Sequence, residues 1–67
     1  MDIRADLVET AGKLWHTLSD GGPQTLVELK KRLNGQGELL NFAVGWLARE
    51  DKIDITREKK GLRIRLR

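Results

Sequence analysis

Hydrophobic residues recur every three or four positions through the first fifty residues, which is the spacing of one face of an α-helix. The first run predicts a helix from Ile3 to about Ser19, followed by Asp-Gly-Gly-Pro at residues 20–23. Because proline interrupts helical hydrogen bonding and glycine favours turns, this segment is predicted to end the helix. The apolar positions of this helix are Ile3, Leu7, Val8, Ala11, Leu14, Trp15 and Leu18.

Two further helices are predicted before the pattern changes. Thr25 and Glu28 have the spacing of a capping box, so a second helix begins at Thr25 and continues to Leu33. Asn-Gly-Gln-Gly at residues 34–37 ends it, and a third helix fits Glu38 to Glu50. The apolar residues of this third helix cover an arc of roughly 200°. An arc this wide predicts that most of the helix is buried or that part of it is an interface.

The hydrophobic period changes to two after Asp51, which is the spacing of a β-strand. Two strands are predicted, with apolar positions at Ile53, Ile55, Leu62, Ile64 and Leu66. The polar link at residues 57–61 includes Gly61, which can adopt a positive φ, so the strands form an antiparallel hairpin with one apolar and one charged face. The predicted fold is therefore α+β: a three-helix winged helix-turn-helix with a C-terminal two-stranded antiparallel wing.

Two segments strengthen this prediction: Thr-Ala-Gly-Lys-Leu-Trp at residues 10–15 and Gly-Trp-Leu-Ala-Arg-Glu-Asp-Lys-Ile at residues 45–53. They resemble a family of small, largely uncharacterised bacterial winged helix-turn-helix domains that occur as stand-alone chains. The resemblance covers nearly the whole chain and is most specific between residues 43 and 53. It implies a winged-helix fold and a regulatory role, but it lends no ligand, since fold alone is a weak guide to function.

Length and composition limit the other possibilities. The 67 residues are predicted to form a single domain over 1–67, without cysteines for disulfides or the common zinc sites. The first six residues are charged where a secretory signal needs an apolar run, and no apolar stretch approaches the ~20 residues of a membrane span. We therefore expect a cytoplasmic protein that does not associate with membranes.

Catalysis is not expected from this sequence. His16, Ser19 and Asp20 are residue types of a hydrolase triad, but they crowd one helix end without a predicted oxyanion hole. His16 is the only histidine, so a metal site would need carboxylates alone. The prediction is that the protein is not an enzyme and has no catalytic residues, cofactor or metal.

Positive charge is concentrated in the last eleven residues. Residues 57–67 contain six basic residues against one acidic, a net charge of +5, whereas the other 56 residues carry a net charge of −2. Any attraction for a polyanion is therefore concentrated in the predicted hairpin. Alternation along the strand sends Arg63 and Arg65 to one face, while Lys59 and Lys60 lie near the tip.

These cations favour a regulatory module, of the kind used in transcription, that holds duplex DNA by its phosphates. The predicted phosphate contacts are Arg57, Lys59, Lys60, Arg63 and Arg65. If all six cations of the segment were engaged, the logarithm of affinity would fall against that of salt with a slope of about −5. This interpretation requires that the arginines project together, because intramolecular ion pairs would remove its basis. The same charges are also typical of a solubilising face that protects a sheet edge from pairing with other chains.

The third helix offers little to a base pair. In a DNA-binding helix-turn-helix, donors such as Asn, Gln or Arg near the amino end of this helix contact base edges. Here that end carries Gln36, Glu38 and Asn41, and the glutamate would repel phosphates. Asn41 is therefore the one predicted base reader, since Arg49 lies at the far end.

The alternative function is a protein-interaction or homodimerisation module that uses the third helix and does not bind DNA. Gly45 in mid-helix costs about 1 kcal/mol relative to alanine, and close helix packing is the usual compensation. With Ala48 nearby, the same face could receive the helix of another protein. Trp15 and Trp46 lie on apolar arcs and are predicted to be core aromatics, with partner binding as the alternative for Trp46.

Overall fold

The computed structural model describes residues 3–33 and 37–67, and these residues form three helices and three strands. The elements are α1 (Arg4–Gly21), β1 (Gln24–Thr25), α2 (Leu26–Arg32), α3 (Gly37–Arg49), β2 (Ile53–Glu58) and β3 (Gly61–Leu66). The predicted α+β order of three helices followed by a C-terminal antiparallel hairpin is confirmed. Most of the predicted link between the second and third helices, residues 34–36, lies outside the described residues.

The ends of α1 and α2 follow from local chemistry. α1 continues to Gly21, two residues beyond the predicted end, and Gly22 closes it with a φ of 71° and an N–H bond to the Leu18 carbonyl at 2.8 Å. The capping box that was predicted for α2 is confirmed. The Thr25 hydroxyl accepts the Glu28 N–H at 3.2 Å, and the Glu28 carboxylate accepts the Thr25 N–H at 2.8 Å.

The sheet has three strands in the order β1-β3-β2, all antiparallel. The short β1 was not predicted: Gln24 pairs with Ile64 and Thr25 with Arg63 along the outer edge of β3. Gln24 is buried, and its side-chain amide donates to the Thr17 carbonyl at 3.0 Å. This bond joins the carboxyl-terminal half of α1 to the sheet.

The connection between β2 and β3 is shorter than predicted. Glu58 pairs with Gly61, so the strands are joined by a two-residue turn at Lys59 and Lys60 and not by a five-residue link. Gly61 follows the turn with a φ of 125°, a conformation that L side chains rarely adopt. The tight turn keeps the charged side chains of both strands in one register.

The described core is one cluster between the helices and the inner face of the sheet. Its buried apolar members are Ala11, Leu14, Leu18, Leu29, Leu40, Ala43, Val44, Leu47, Ile53 and Ile64. Each fully buried leucine or isoleucine contributes about 1.5–3 kcal/mol relative to an exposed one. The prediction that Trp15 is a core aromatic is wrong. Its side chain is 43% exposed at the flank of α1 and makes an edge-to-face contact with the His16 ring.

Candidate interaction surfaces on the hairpin and α3

The hairpin register separates the predicted phosphate contacts. Side chains alternate between the two faces of a strand, and residues paired across two strands share a face. Arg57 pairs with Leu62, on the side of the sheet that carries Ile64, whereas Arg63 and Arg65 lie on the opposite side. Lys59 and Lys60 lie in the turn between the strands. The five cations therefore do not form one surface.

Each arginine of β3's charged face has an acidic partner. Arg63 forms an ion pair with the Glu58 carboxylate. Arg65 Nη2 lies 3.1 Å from Asp54 Oδ2, directly across the strands in the register of the hairpin. The arginine that follows β3, Arg67, continues the series and contacts both Asp51 and Asp54, with Nη1 3.1 Å from Asp51 Oδ1.

The end of α3 places Asp51 in this series. Asp51 has a φ of 59° and donates its N–H to Ala48 O at 3.1 Å, while Lys52 donates to Leu47 O at 2.9 Å. These two bonds form a Schellman motif, which turns the chain sharply at the end of a helix. The Asp51 carboxylate consequently faces Arg67 across the beginning of the hairpin.

These ion pairs change the electrostatic character of the hairpin. All the paired side chains are well exposed, so each pair contributes only about 0–1 kcal/mol to stability. Their effect is on local charge, because three carboxylates accompany the three arginines on one face. Arg63 also interacts electrostatically with the carboxylate of Glu28, which the capping box holds in place. Phosphate binding by the hairpin required arginines without intramolecular ion pairs. Arg63 and Arg65 do not meet that requirement.

Unpaired positive charge remains at the hairpin tip. Arg57, Lys59 and Lys60 are exposed, and none forms an ion pair with any residue in 3–33 or 37–67. We call these three residues the tip cations. Between residues 51 and 67 there are seven basic residues against three acidic, so the hairpin and its approach keep a net positive charge.

The polar residues on α3 do not build a base-reading surface. Asn41 is exposed, as predicted, but it makes no hydrogen bond or ion pair with the tip cations, Arg63 or Arg65. Glu38 is exposed in the first turn and Arg49 in the last, about 17 Å apart along the axis at 1.5 Å per residue. Gln36 lies outside the described residues.

Aromatic side chains dominate the outer surface of α3. Phe42 is 57% exposed and Trp46 is 40% exposed, so the prediction of a core role for Trp46 is wrong. Both lie one turn apart on the same side of the helix. Gly45, between them in sequence, is also exposed, and a Cβ added there would meet nothing within 4 Å. The close packing predicted to compensate for this glycine is therefore not found within the described chain.

The width of the apolar arc was the sequence signal for this surface. α3 buries Leu40, Ala43, Val44 and Leu47, which occupy roughly 100° of the helix. The remaining apolar residues had to be either covered by a second layer or exposed. The structure leaves Phe42 and Trp46 exposed, so this part of the apolar arc is not covered within the described residues.

A shallow groove lies between the start of α2 and the hairpin, lined by Thr25, Val27, Glu28, Lys60 and Arg63. Within it, the bond from the Thr25 N–H lowers the pKa of the Glu28 carboxyl below its ordinary value, helped by the Thr25 hydroxyl and by the charges of Arg63 and Arg32. The charge of Glu28 partly offsets the charges of Lys60 and Arg63 in this groove. The groove therefore does not enlarge the positively charged surface at the hairpin tip.

No helix within the described ranges combines the length and apolar character needed to cross a membrane.

Comparison with known proteins places the chain among small domains of similar size. Residues 1–66 match the sequence model of a family described as a winged helix-turn-helix domain (DUF2582). An uncharacterised protein of Methanocaldococcus jannaschii is 39% identical over 69 residues, covering 98% of this chain and 97% of that protein. The family resemblance expected from the sequence is therefore confirmed, and this relative shows that similar proteins also occur in an archaeon.

A solved structure shows the same architecture. The solution NMR structure of a protein from Bacteroides thetaiotaomicron has a TM-score of 0.80 and 36% sequence identity to this chain. The match covers 98% of this chain and 79% of the other. The arrangement of helices and hairpin described above is therefore shared by a protein of clearly related sequence.

Proposed function

The chain belongs to the winged helix-turn-helix domain family DUF2582, and from that premise we propose that it is a protein-interaction module whose α3 contacts another protein. In this fold α3 occupies the position from which DNA-binding members read the major groove. Here that position carries the exposed Phe42 and Trp46, and Asn41 is the one described residue near its amino end that suits a base edge. The exposed aromatic pair on α3 is the observation that carries the proposal.

Exposed aromatic side chains on a small domain are suited to binding another protein. Aromatic residues are enriched at the centres of protein interfaces because they bury a large area with little loss of conformational freedom. Single exposed apolar residues are ordinary, but two adjacent aromatics on one helix face, flanked by a glycine without a neighbour, form a surface suited to contact. Covering this surface would also account for Gly45.

A regulatory role through DNA phosphates is the second candidate, and one observation favours it. The tip cations are exposed and unpaired at the end of the hairpin, where a wing can reach the DNA backbone. Three such cations support weak binding without sequence preference, with dissociation constants of roughly 10⁻⁴–10⁻⁶ M at physiological salt. Asn41 remains the one candidate for a base contact in this proposal, and Arg63 and Arg65 contribute less than the sequence predicted.

The proposed function is tested by capture on immobilised protein, with wild type compared with Phe42→Ala and Trp46→Ala. Truncating an interface aromatic typically costs about 2 kcal/mol or more, so we expect capture to weaken roughly thirtyfold. Bound proteins are identified and quantified by mass spectrometry, and the chain itself counts as a partner. Both side chains are exposed, so circular dichroism should show an unchanged fold.

The matched control is the double variant Lys59→Ala, Lys60→Ala, which removes charge from the tip and leaves α3 intact. It should capture the same partners as wild type. If the α3 variants capture as much as wild type, or wild type captures nothing, the interaction proposal is wrong. Loss of capture in the tip variant alone would place the contact on the hairpin and would also contradict the proposal for α3.

A further inference from the structure

We infer that the partner of α3 is a second copy of this chain, bound through an antiparallel pairing of the two α3 helices. This inference rests on the proposed function and names its partner. The surface concerned consists of Glu38, Phe42, Gly45 and Arg49, which we call the α3 stripe. All four residues are exposed.

The α3 stripe lies on the side of the helix that faces away from the core. At 100° per residue, the four members lie within roughly 60° of one another, directly opposite the buried arc of Leu40, Ala43, Val44 and Leu47. Their spacing of four, three and four residues is that of the contact positions in a coiled coil. The stripe therefore forms a straight seam that faces away from the rest of the fold.

The α3 stripe is also self-complementary. In a two-fold symmetric pair, a residue that contacts a given position on the other copy is contacted by that same position in return. When two α3 helices run antiparallel with the axis midway between Ala43 and Val44, Glu38 of each copy lies opposite Arg49 of the other. The same register sets Phe42 of each copy opposite Gly45 of the other.

Both pairings are chemically favourable. Glu38 and Arg49 carry opposite charges and would form two ion pairs at the ends of the seam. The ring of Phe42 would occupy the space left by the missing side chain of Gly45, where a Cβ now meets nothing within 4 Å. A parallel arrangement would instead set Glu38 against Glu38 and Arg49 against Arg49, which like-charge repulsion disfavours.

The size of the contact sets the expected strength. The seam is about 17 Å long. A contact of this length buries less than the ~1,200 Å² at the lower limit of standard stable interfaces. We therefore expect a reversible dimer with a dissociation constant on the order of 0.1 mM. Trp46 flanks the seam and adds apolar area beside it.

The test is charge exchange across the seam, measured by sedimentation equilibrium at low ionic strength. Glu38→Arg sets arginine against arginine in its own homodimer, and Arg49→Glu sets glutamate against glutamate. We expect each variant to dimerise about tenfold more weakly than wild type, since two exposed ion pairs change from attraction to repulsion. An equimolar mixture of the two variants should recover wild-type dimerisation, because every charge then meets its opposite.

The mixture separates a lost contact from a lost fold, because a variant that fails to fold is not rescued by its counterpart. Asp20→Arg and Lys31→Glu make the same charge changes at exposed positions of α1 and α2, and both should dimerise like wild type. Phe42→Ala should weaken the dimer without affecting the thermal midpoint of the dilute protein.

The possible outcomes separate this inference from the proposed function. A wild type that stays monomeric to about 1 mM, ten times the expected dissociation constant, overturns the second-copy inference; capture that still depends on Phe42 then leaves the proposed function standing. Self-association that is unaffected by the charge exchanges overturns the antiparallel register. If both self-association and Phe42-dependent capture are missing, the proposed function fails as well.

Discussion

Gly45 lowers the stability of the helix in which it lies. It lies in the interior of α3, where glycine costs about 1 kcal/mol relative to alanine, and no neighbouring group requires its missing side chain. The helix is therefore less stable than it would be with alanine at this position. In the α3 pairing proposed above, this position admits the Phe42 ring of a second copy.

Gly45→Ala should raise the free energy of unfolding of the dilute monomer by about 1 kcal/mol, because the added methyl meets no neighbour and alanine favours the helix. For a domain of this size the thermal midpoint should rise by roughly 4–8 °C. Urea unfolding followed by circular dichroism at a few micromolar protein provides the measurement.

Two other glycines serve as controls for this substitution. Gly12 in α1 is also exposed and has nothing within 4 Å of an added Cβ, so Gly12→Ala should stabilise by a similar amount. Gly61 has a φ of 125°, so Gly61→Ala should destabilise instead. A loss of stability in Gly45→Ala would mean that α3 already packs against a group at this position.

Two acidic residues explain why the sequence overstated the positive charge available on the hairpin. The segment 57–67 carries a net charge of +5 when it is read along the chain. Asp54 lies three residues before that segment and Asp51 six, yet both contact arginines at its far end. The hairpin register brings these acids to the arginines, and a window along the sequence does not include contacts between strands.

At the scale of elements, α2 depends on its first turn. This helix has seven residues, which is too short to be stable in isolation; its buried core residue is Leu29, and Leu26 packs against the core while partly exposed. The capping box satisfies two backbone N–H donors, those of Thr25 and Glu28. It also fixes the point where β1 ends and α2 begins.

The capping box predicts a pH dependence. Because its bond from the Thr25 N–H lowers the pKa of Glu28 in the folded state, this group stabilises the protein above the ordinary glutamate pKa of 4.5. That contribution is lost as the pH falls through the lowered value. We expect Glu28→Gln to have a lower thermal midpoint than wild type at pH 7 and the difference to shrink as the pH falls below 4.5, as measured by circular dichroism between about pH 7 and 3. A difference that does not change with pH would contradict this role of the carboxylate.

The elements show what periodicity can and cannot reveal. The three helices and the hairpin were predictable because each repeats its apolar positions several times. β1 was not, since Gln24 and Thr25 are too few to show an alternation and become a strand only because the edge of β3 is available. For α3, the pattern gave the wide apolar arc, but the packing of α1 and the sheet decides which part of that arc is covered.

At the scale of the whole molecule, charge distribution decides what remains of the nucleic-acid candidate. Three carboxylates lie among the arginines of the hairpin, and the tip cations are left as the unpaired positive group of that hairpin within the described residues. The molecule therefore offers a polyanion a small positive tip in place of a continuous basic face.

This distribution predicts a weaker salt dependence than the sequence did. With three phosphates neutralised, the logarithm of affinity for random duplex DNA should fall against that of salt with a slope of about −3 instead of −5. Fluorescence anisotropy at several salt concentrations measures this slope. Lys59→Ala with Lys60→Ala should reduce it to about −1, whereas Arg63→Ala with Arg65→Ala should leave it near −3. Absence of binding by wild type even at low salt would end the nucleic-acid candidate.

The strand order β1-β3-β2 has a consequence for synthesis. The strand that reaches the ribosomal exit last, β3, is the one that both of the others pair with. Helices can form as a nascent chain lengthens, but β1 and β2 have no hydrogen-bonding neighbour in this sheet until Gly61–Leu66 has been translated. Translation that stopped before Gly61 would leave every strand of this sheet without its partner, so the domain can complete its fold only after its final strand has left the tunnel.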